Sequence, residues 1–359
     1  MESEHKMKLI HVADIHLGAK MEAKLPKEKA KTRRLEMRAT FARMLEYAEE
    51  HGVTAVLFAG DIFDSNTPNQ DDKKYFYNKL RKYSGIDFYY LRGNHDSENS
   101  YTELDLTNLH LFGTEWTSYE KEGVVISGVE LDGSNARSLY TTLALDKSKT
   151  NIVMLHGDIH TSGSGESLSL KSLMGKGIDY LALGHIHAHR FGKLDDRGTW
   201  CYAGCLEGRS YDECGDKGFV VLDTEEGLAP VFVPFAKRNV HEIFVDASCA
   251  EDAVAVEDLA EAALKGEQNN LVRLILKGEM RYDGENLAEH LKTRLGHMAF
   301  HLDVQDKRRR LIRPEEYAGD LSLRGEFVRL VEACDMDEDK KQRILEYGLK
   351  ILKEGRLDV

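Results

Sequence analysis

Proline is sparse in this sequence, 5 in 359 residues, and there is no low-complexity tract or evident internal repeat. Those absences leave the composition of an ordinary globular chain, 42% hydrophobic and 31% charged. Cysteine is equally sparse: Cys201, Cys205, Cys214, Cys249 and Cys334 are an odd number without a CxxC pair. They read as reduced cytosolic thiols, and Cys201 and Cys205 lack the second pair that would complete a zinc set. No apolar run approaches the length that spans a membrane, and MESEHKMKLI lacks the apolar core of a signal peptide. A cytoplasmic protein without membrane contact is expected, with residues 1–6 a disordered leader or an expression remnant. A surplus of positive charge is missing too. The net charge of −13 argues against a protein that merely coats DNA, whose affinity comes from neutralising phosphates. It reads as a solvated acidic surface, although part of it is carboxylate that divalent cations would neutralise.

What is present is alternation. The chain has room for one large α/β domain and one or two smaller units. Near-continuous apolar runs predict strands at 8–13, 53–59, 87–92, 124–131, 151–155, 178–183, 199–203 and 218–223. Helices are expected near 33–50, 71–83 and 166–175. Strand and helix alternate first, and strands then follow one another, which suggests a mixed sheet or two packed sheets covered by helices. Around 236–241 the pattern restarts. Strand 241–246, helix 250–265, strand 271–277, helix 284–295 and strand 299–304 make an α+β unit. Segment 319–353 reads as two amphipathic helices, one with Phe327, Leu330 and Val331 on its apolar face, the other with Ile344, Leu345, Ile351 and Leu352. Such helices pack on their own domain or dock a partner.

The stretch from Lys20 to Arg43 is unusual in an acidic chain, with nine cations against Glu22, Glu28 and Glu36. Lys27, Lys29, Arg33 and Arg34 are its candidates for contact with a phosphate backbone, a solvated face being the alternative.

Each chemically suggestive cluster follows a predicted strand. Asp14-Ile15-His16 follows 8–13, Gly60-Asp61-Ile62-Phe63-Asp64 follows 53–59, and Gly93-Asn94-His95-Asp96 follows 87–92. His156-Gly157 closes 151–155, and Gly184-His185-Ile186-His187 closes 178–183. Ligands of open α/β sheets bind outside the carboxyl ends of the strands, so five strand ends would deliver these groups to one edge. Asp14, His16, Asp61, Asn94, His156, His185 and His187 offer mixed oxygen and imidazole donors without thiolate. That set suits Mn, Fe or Zn better than Ca or Mg. With one carboxylate as a bridge it can hold two ions roughly 3.5–4 Å apart, the arrangement that activates water for in-line displacement at phosphorus.

In this order the motifs resemble the calcineurin-like metallophosphoesterase superfamily, whose pattern is DxH, GDxxD, GNH, H and GHxH. The resemblance implies an α/β, four-layer fold of two packed mixed β-sheets flanked by helices, here with a small α+β capping domain and C-terminal helices. It implies a nuclease-type domain over 7–236, the capping domain over 237–310 and a helical segment over 311–359. It assigns Asp14, His16, Asp61 and His187 to one ion, and Asp61, Asn94, His156 and His185 to the other. His95 would be the catalytic histidine, off the metals, that stabilises or protonates the leaving oxygen. Asp96 would orient His95 or support the ligands from behind, and Asp64 would be a loop cap or a similar supporting contact.

Within the superfamily HVADIHLGA, GDIFDSNTP, LRGNHD, LGHIHAHR and YAGCLEGRSYDECGDKGFVVLD are similar to the SbcD-like DNA-repair nucleases. The resemblance implies a Mn-dependent DNA exo/endonuclease working with DNA and an SMC-like, SbcC-like coiled-coil ATPase that docks on 319–353. A homodimer is left open. Two departures stand out. Asp64 occupies a position that is His in the archaeal and eukaryotic relatives, and Cys205 stands where the usual motif has Ser. The alternatives are a phosphodiesterase or phosphomonoesterase of small substrates such as cyclic nucleotides, and a mainly regulatory subunit of an ATPase complex.

Overall fold

The computed structural model describes residues 7–21, 25–100, 105–133, 135–136, 138–159, 167–280, 286–310 and 312–354. The expected leader at 1–6, Glu22 and Lys24 of the basic stretch, and Glu166 of the helix expected over 166–175 lie outside the described residues. The chain divides into two units, 1–241 and 242–359.

In the first unit the chain runs β1 (Lys8–Val12), α1 (Lys27–Glu50), β2 (Ala55–Ala59), α2 (Gln70–Lys82), β3 (Asp87–Leu91), β4 (Leu109–Leu111), β5 (Thr117–Lys121) and β6 (Val124–Gly128). It continues through α3 (Leu139–Thr142), β7 (Thr150–His156), α4 (Leu170–Leu173), β8 (Tyr180–Gly184), β9 (Arg190–Lys193), β10 (Thr199–Tyr202), β11 (Gly218–Asp223) and β12 (Val231–Pro234). These strands make two six-stranded sheets, ordered β12-β11-β1-β2-β3-β4 and β5-β6-β7-β8-β10-β9. Both are mixed: β1 to β4 run parallel with β11 antiparallel to β1, and β6, β7, β8 and β10 run parallel with β5 and β9 antiparallel at the edges. The expected α/β architecture of two mixed sheets with helices is therefore the observed one.

The packing follows from the apolar runs. Leu9, Leu57 and Tyr89 of the first sheet share one buried cluster with Ile126, Ile152 and Met154 of the second. Met37, Phe41 and Leu45 of α1 and Phe76 and Leu80 of α2 bury against Phe58, Phe88 and Tyr90 on the first sheet's other face. Helix α1 starts six residues before the expected 33, directly after Pro26, where a missing N–H costs no helical bond. Helix α4 covers only the middle of the helix expected over 166–175.

In the second unit β13 (Val240–Asp246), β14 (Leu271–Lys277) and β16 (His301–Asp306) form a three-stranded sheet, and β15 (Glu279–Met280) pairs with β17 (Arg309–Arg310). Helices α5 (Ala253–Ala263) and α6 (Leu287–Leu295) cover the larger sheet through Val256, Ala260, Leu287 and Leu291. Helices α7 (Leu323–Glu332) and α8 (Glu338–Glu354) pair through Val328, Val331 and Leu345, with Phe327 and Ile344 partly buried. Leu330, expected on the apolar face, is exposed, because residue 328 rather than 330 shares the inner stripe with 331. Among the described residues no helix is long and apolar enough to cross a membrane.

Candidate metal centre

Five strands of the two sheets end at one place. Asp14 and His16 follow β1, Asp61 follows β2, Asn94 and His95 follow β3, His156 ends β7, and His185 and His187 follow β8. The backbone bends sharply to deliver them. Asp14 (φ 51°), His16 (φ 51°), Asp61 (φ 54°) and His185 (φ 100°) all sit in the left-handed region. Such conformations cost on the order of 1–3 kcal/mol each for non-glycine residues and persist where the surroundings hold them. Glycine serves where approach is closest: at Gly60 (φ 93°) a Cβ would lie 2.2 Å from His156 Nδ1.

All eight sequence-predicted residues of the centre come together. His16 Nε2 faces His187 Nε2 at 3.3 Å and Asp61 Oδ2 at 3.8 Å. His156 Nε2 lies 3.5 Å from Asp61 Oδ2 and 3.0 Å from Asn94 Oδ1, and that Oδ1 is 3.4 Å from His185 Nδ1. Donor atoms of Asp14, His16 and His187 lie within 4.8 Å of one another, as do those of Asp14, Asp61 and His156. Asp14, His16, Asp61 and His156 are buried, while Asn94 and His95 are exposed. The His95 ring stands 5.1 Å from that of His16, and its backbone N–H donates to Asp61 Oδ1 at 2.9 Å.

The hydrogen bonds behind these groups show what the centre would accept. His156 Nδ1 donates to Ala59 O at 2.9 Å, and His187 Nδ1 donates to Glu213 Oε1 at 2.7 Å. His16 Nδ1 lies 3.3 Å from Asp64 Oδ1. At His156 the outer nitrogen faces a carbonyl oxygen that can only accept, so it carries the proton and Nε2 turns a lone pair inward; His187 Nδ1 meets both the Glu213 carboxylate and, at 3.2 Å, Arg209 Nη2, and His16 Nδ1 stands within ion-pair range of Asp64. The inner face is then a convergence of lone pairs and carboxylate oxygens, repulsive unless positive charge fills it. Divalent cations fit this donor set. Without them, protons serve: burial alone would lower the pKa of the His156 imidazole, but the Asp61 carboxylate outweighs burial and raises it to about 9. Burial opposes ionisation of Asp61, yet His156 and His16 hold it below the usual carboxylate range.

Asp64 makes the supporting contact behind His16 just described and also accepts from Arg209 Nη1 at 2.8 Å. Asp96 supports the loops that carry Asp61 and Asn94, one of the two roles expected of it. Its carboxylate accepts from the backbone N–H groups of Ile62 (3.2 Å), Phe63 (3.0 Å) and Gly93 (3.2 Å), tying the loop after β2 to that after β3. Among the described residues no hydrogen bond joins Asp96 to the His95 ring, so of the two expected roles its contacts match support of the ligand loops. Burial and the neighbouring Asp61 push its pKa up to about 6 against those three donors.

The basic stretch needs a larger correction. Arg33 is 0% exposed, and its guanidinium donates to Glu207 Oε2 (2.8 Å), Gly208 O (2.9 Å) and Glu36 Oε2 (2.9 Å). It anchors α1 to the loop before β11 and cannot reach a phosphate. Arg34 donates to Lys20 O at 2.7 Å, Lys29 is half-buried, and Lys27 is exposed.

Two members of the site escaped the sequence reading. Arg209 and Glu213 stand directly behind His187, and burial fails to keep Glu213 protonated because His187 and Arg209 hold its carboxyl at about 2. Their signal was weak: an Arg–Glu pair four residues apart, inside a segment whose similarity was recognised without a role for either.

Residues 7–189, about half of the chain, match the family described as calcineurin-like phosphoesterase. The uncharacterized metallophosphoesterase YhaO of Bacillus subtilis (strain 168) is 27% identical over 296 residues, 75% of this chain and 71% of that protein. The DNA double-strand break repair protein Mre11 of Sulfolobus acidocaldarius is 27% identical over 246 residues, 63% of this chain and 62% of that protein. Among solved structures, TT1561 of Thermus thermophilus aligns with 63% of this chain and 98% of its own, at 12% identity and a TM-score of 0.42.

Proposed function

We propose, from the premise that this chain belongs to the calcineurin-like phosphoesterase family, that it is a Mn-dependent DNA exo/endonuclease of the cytoplasm. It is a metal-dependent phosphoesterase, and the proposal concerns its substrate, its metal and its partner. The observation that carries it is the acceptor-lined centre, whose inward lone pairs call for cations. Asp14, His16, Asp61 and His187 would hold one ion, and Asp61, Asn94, His156 and His185 the other. Bound there, divalent cations supply Lewis acidity and neutralise the charge of the scissile phosphate.

The chain's own groups do the rest. His95, exposed beside the buried donors and fixed through its backbone bond to Asp61, gives its proton to the leaving oxygen. DNA as substrate is supported by the similarity to a protein named for DNA double-strand break repair. The paired helices of 311–359, which expose Leu323, Leu330 and Tyr347, would dock an SMC-like, SbcC-like coiled-coil ATPase.

The test is a cleavage panel with Mn(II): linear duplex, hairpin and circular single-stranded DNA beside a cyclic nucleotide and a chromogenic phosphodiester. Cleavage of DNA is expected. Intact DNA together with rapid cyclic-nucleotide turnover would sink the nuclease reading in favour of a small-substrate phosphodiesterase.

A further inference from the structure

Behind the two imidazoles that face each other stands a single guanidinium. Arg209 Nη1 donates to Asp64 Oδ1 at 2.8 Å, and Asp64 stands 3.3 Å from His16 Nδ1. Arg209 Nη2 donates to Glu213 Oε1 at 3.0 Å, and that same oxygen accepts from His187 Nδ1 at 2.7 Å. The Arg209 backbone N–H adds a bond to Glu213 Oε2 at 2.6 Å. Two carboxylates on different loops are thus joined through one planar cation, and each backs one of the two histidines.

We propose that Arg209 is a positioning residue that clamps Asp64 and Glu213 so that His16 and His187 present their Nε2 atoms to one metal ion. This rests on the metal-centre reading and is independent of what the substrate is. Asp64 needs the clamp more than Glu213 does. Its side chain is 31% exposed against 9% for Glu213, and it lies on the loop after β2, where water competes for its oxygens. A rigid fork suits this role, because two of its nitrogens serve separate carboxylates at fixed spacing, which one ammonium cannot do. The same cation offsets one of two negative charges that would otherwise stand together behind the imidazoles. Arg33 steadies the base of the device, since it grips Glu207 and Gly208 immediately before Arg209.

The test titrates Mn(II) alone into the full chain, following heat and the Mn(II) electron paramagnetic resonance spectrum. Wild type should bind two ions. Arg209→Gln should weaken one of them by about 10–100-fold, the scale on which supporting partners affect metal affinity, and leave the other unchanged. Arg209→Lys should restore only part of the loss. Asp64→Ala should weaken the same ion, and the double variant Asp64→Ala/Arg209→Gln should lose little more than either alone. Unchanged affinities and spectrum in Arg209→Gln would overturn the clamp, as would additive losses in the double variant. If Arg209→Gln fails to fold, Asp64→Ala decides: an unaltered affinity there rejects the proposal. Absence of ion binding by wild type would reject the metal centre itself, a failure distinct from that of the clamp alone.

Discussion

The strand ends of the first unit and the sheet of the second carry similar kinds of side chain and use them in opposite ways. At the centre, Asp14, His16, Asp61 and His156 are buried with acceptor facing acceptor, on loops where three of the four are left-handed. In the second unit Arg273 on β14 lies between Glu242 on β13, at 3.2 Å, and Asp303 on β16, at 3.1 Å, so cation and anion meet across the sheet and satisfy each other. Among the described residues of that unit, Asn286 is the single non-glycine residue with positive φ. Charge density therefore does not mark a site. What marks it is charge left without a complement, held by a backbone that local sequence would not choose.

The largest effect should come from breaking the rim at His95, proposed above as the catalytic group off the metals. His95→Gln is expected to lower turnover by about 10²–10⁴-fold while two Mn(II) ions still bind, measured by steady-state cleavage beside metal analysis. Loss of metal in that variant would place His95 among the ligands. Next comes a buried pair that is complemented, inside the same unit. Arg33→Ala leaves Glu207 buried without its partner, although Glu207 Oε1 keeps the Thr40 hydroxyl and the Lys237 N–H. Removing one side of such a pair costs about 3–5 kcal/mol. Urea denaturation should register it as an earlier transition of the first unit; a shift under about 1 kcal/mol would make Arg33 a surface-like cation despite its burial.

The same contrast explains what could be read from the sequence. The eight residues of the centre were legible because each follows a continuous apolar run, and the buried central strands produce such runs. In the two large sheets the strands that went unread, β4, β5, β9 and β12, are the four edges. Residues such as Thr117-Ser118-Tyr119-Glu120-Lys121 and Arg190-Phe191-Gly192-Lys193 face water on at least one side, so no apolar run announces them. Arg33 misled for a related reason. Nearby in sequence stand the exposed Lys31 and the half-buried Arg34, whereas the burial of Arg33 depends on Glu207, 174 residues away, which local pattern cannot reveal. Arg209 and Glu213 were missed because a group that supports a ligand needs no ligand spacing. The loops of Asp96 show the converse, a residue found by its motif whose partners proved to be backbone N–H groups.

The smallest effect should come from the second unit, and it sharpens the comparison most. Arg273 has 16% of its side chain exposed, Glu242 33% and Asp303 27%, so water reaches every member of the ladder. In that setting attraction is diluted by solvent and opposed by side-chain entropy, and pairs of this kind are worth about 0–1 kcal/mol. Arg273→Ala also sets Glu242 and Asp303 free to hydrate, a relief that Glu207 does not have when Arg33 is removed. The expected loss is therefore below about 1 kcal/mol in the urea transition of the second unit, shrinking further as salt screens the exposed charges. A loss matching that of Arg33→Ala, insensitive to salt, would mean that the ladder behaves as a buried pair. Burial would then cease to be what separates the two regions, and the missing complement at the metal rim would have to carry the distinction alone.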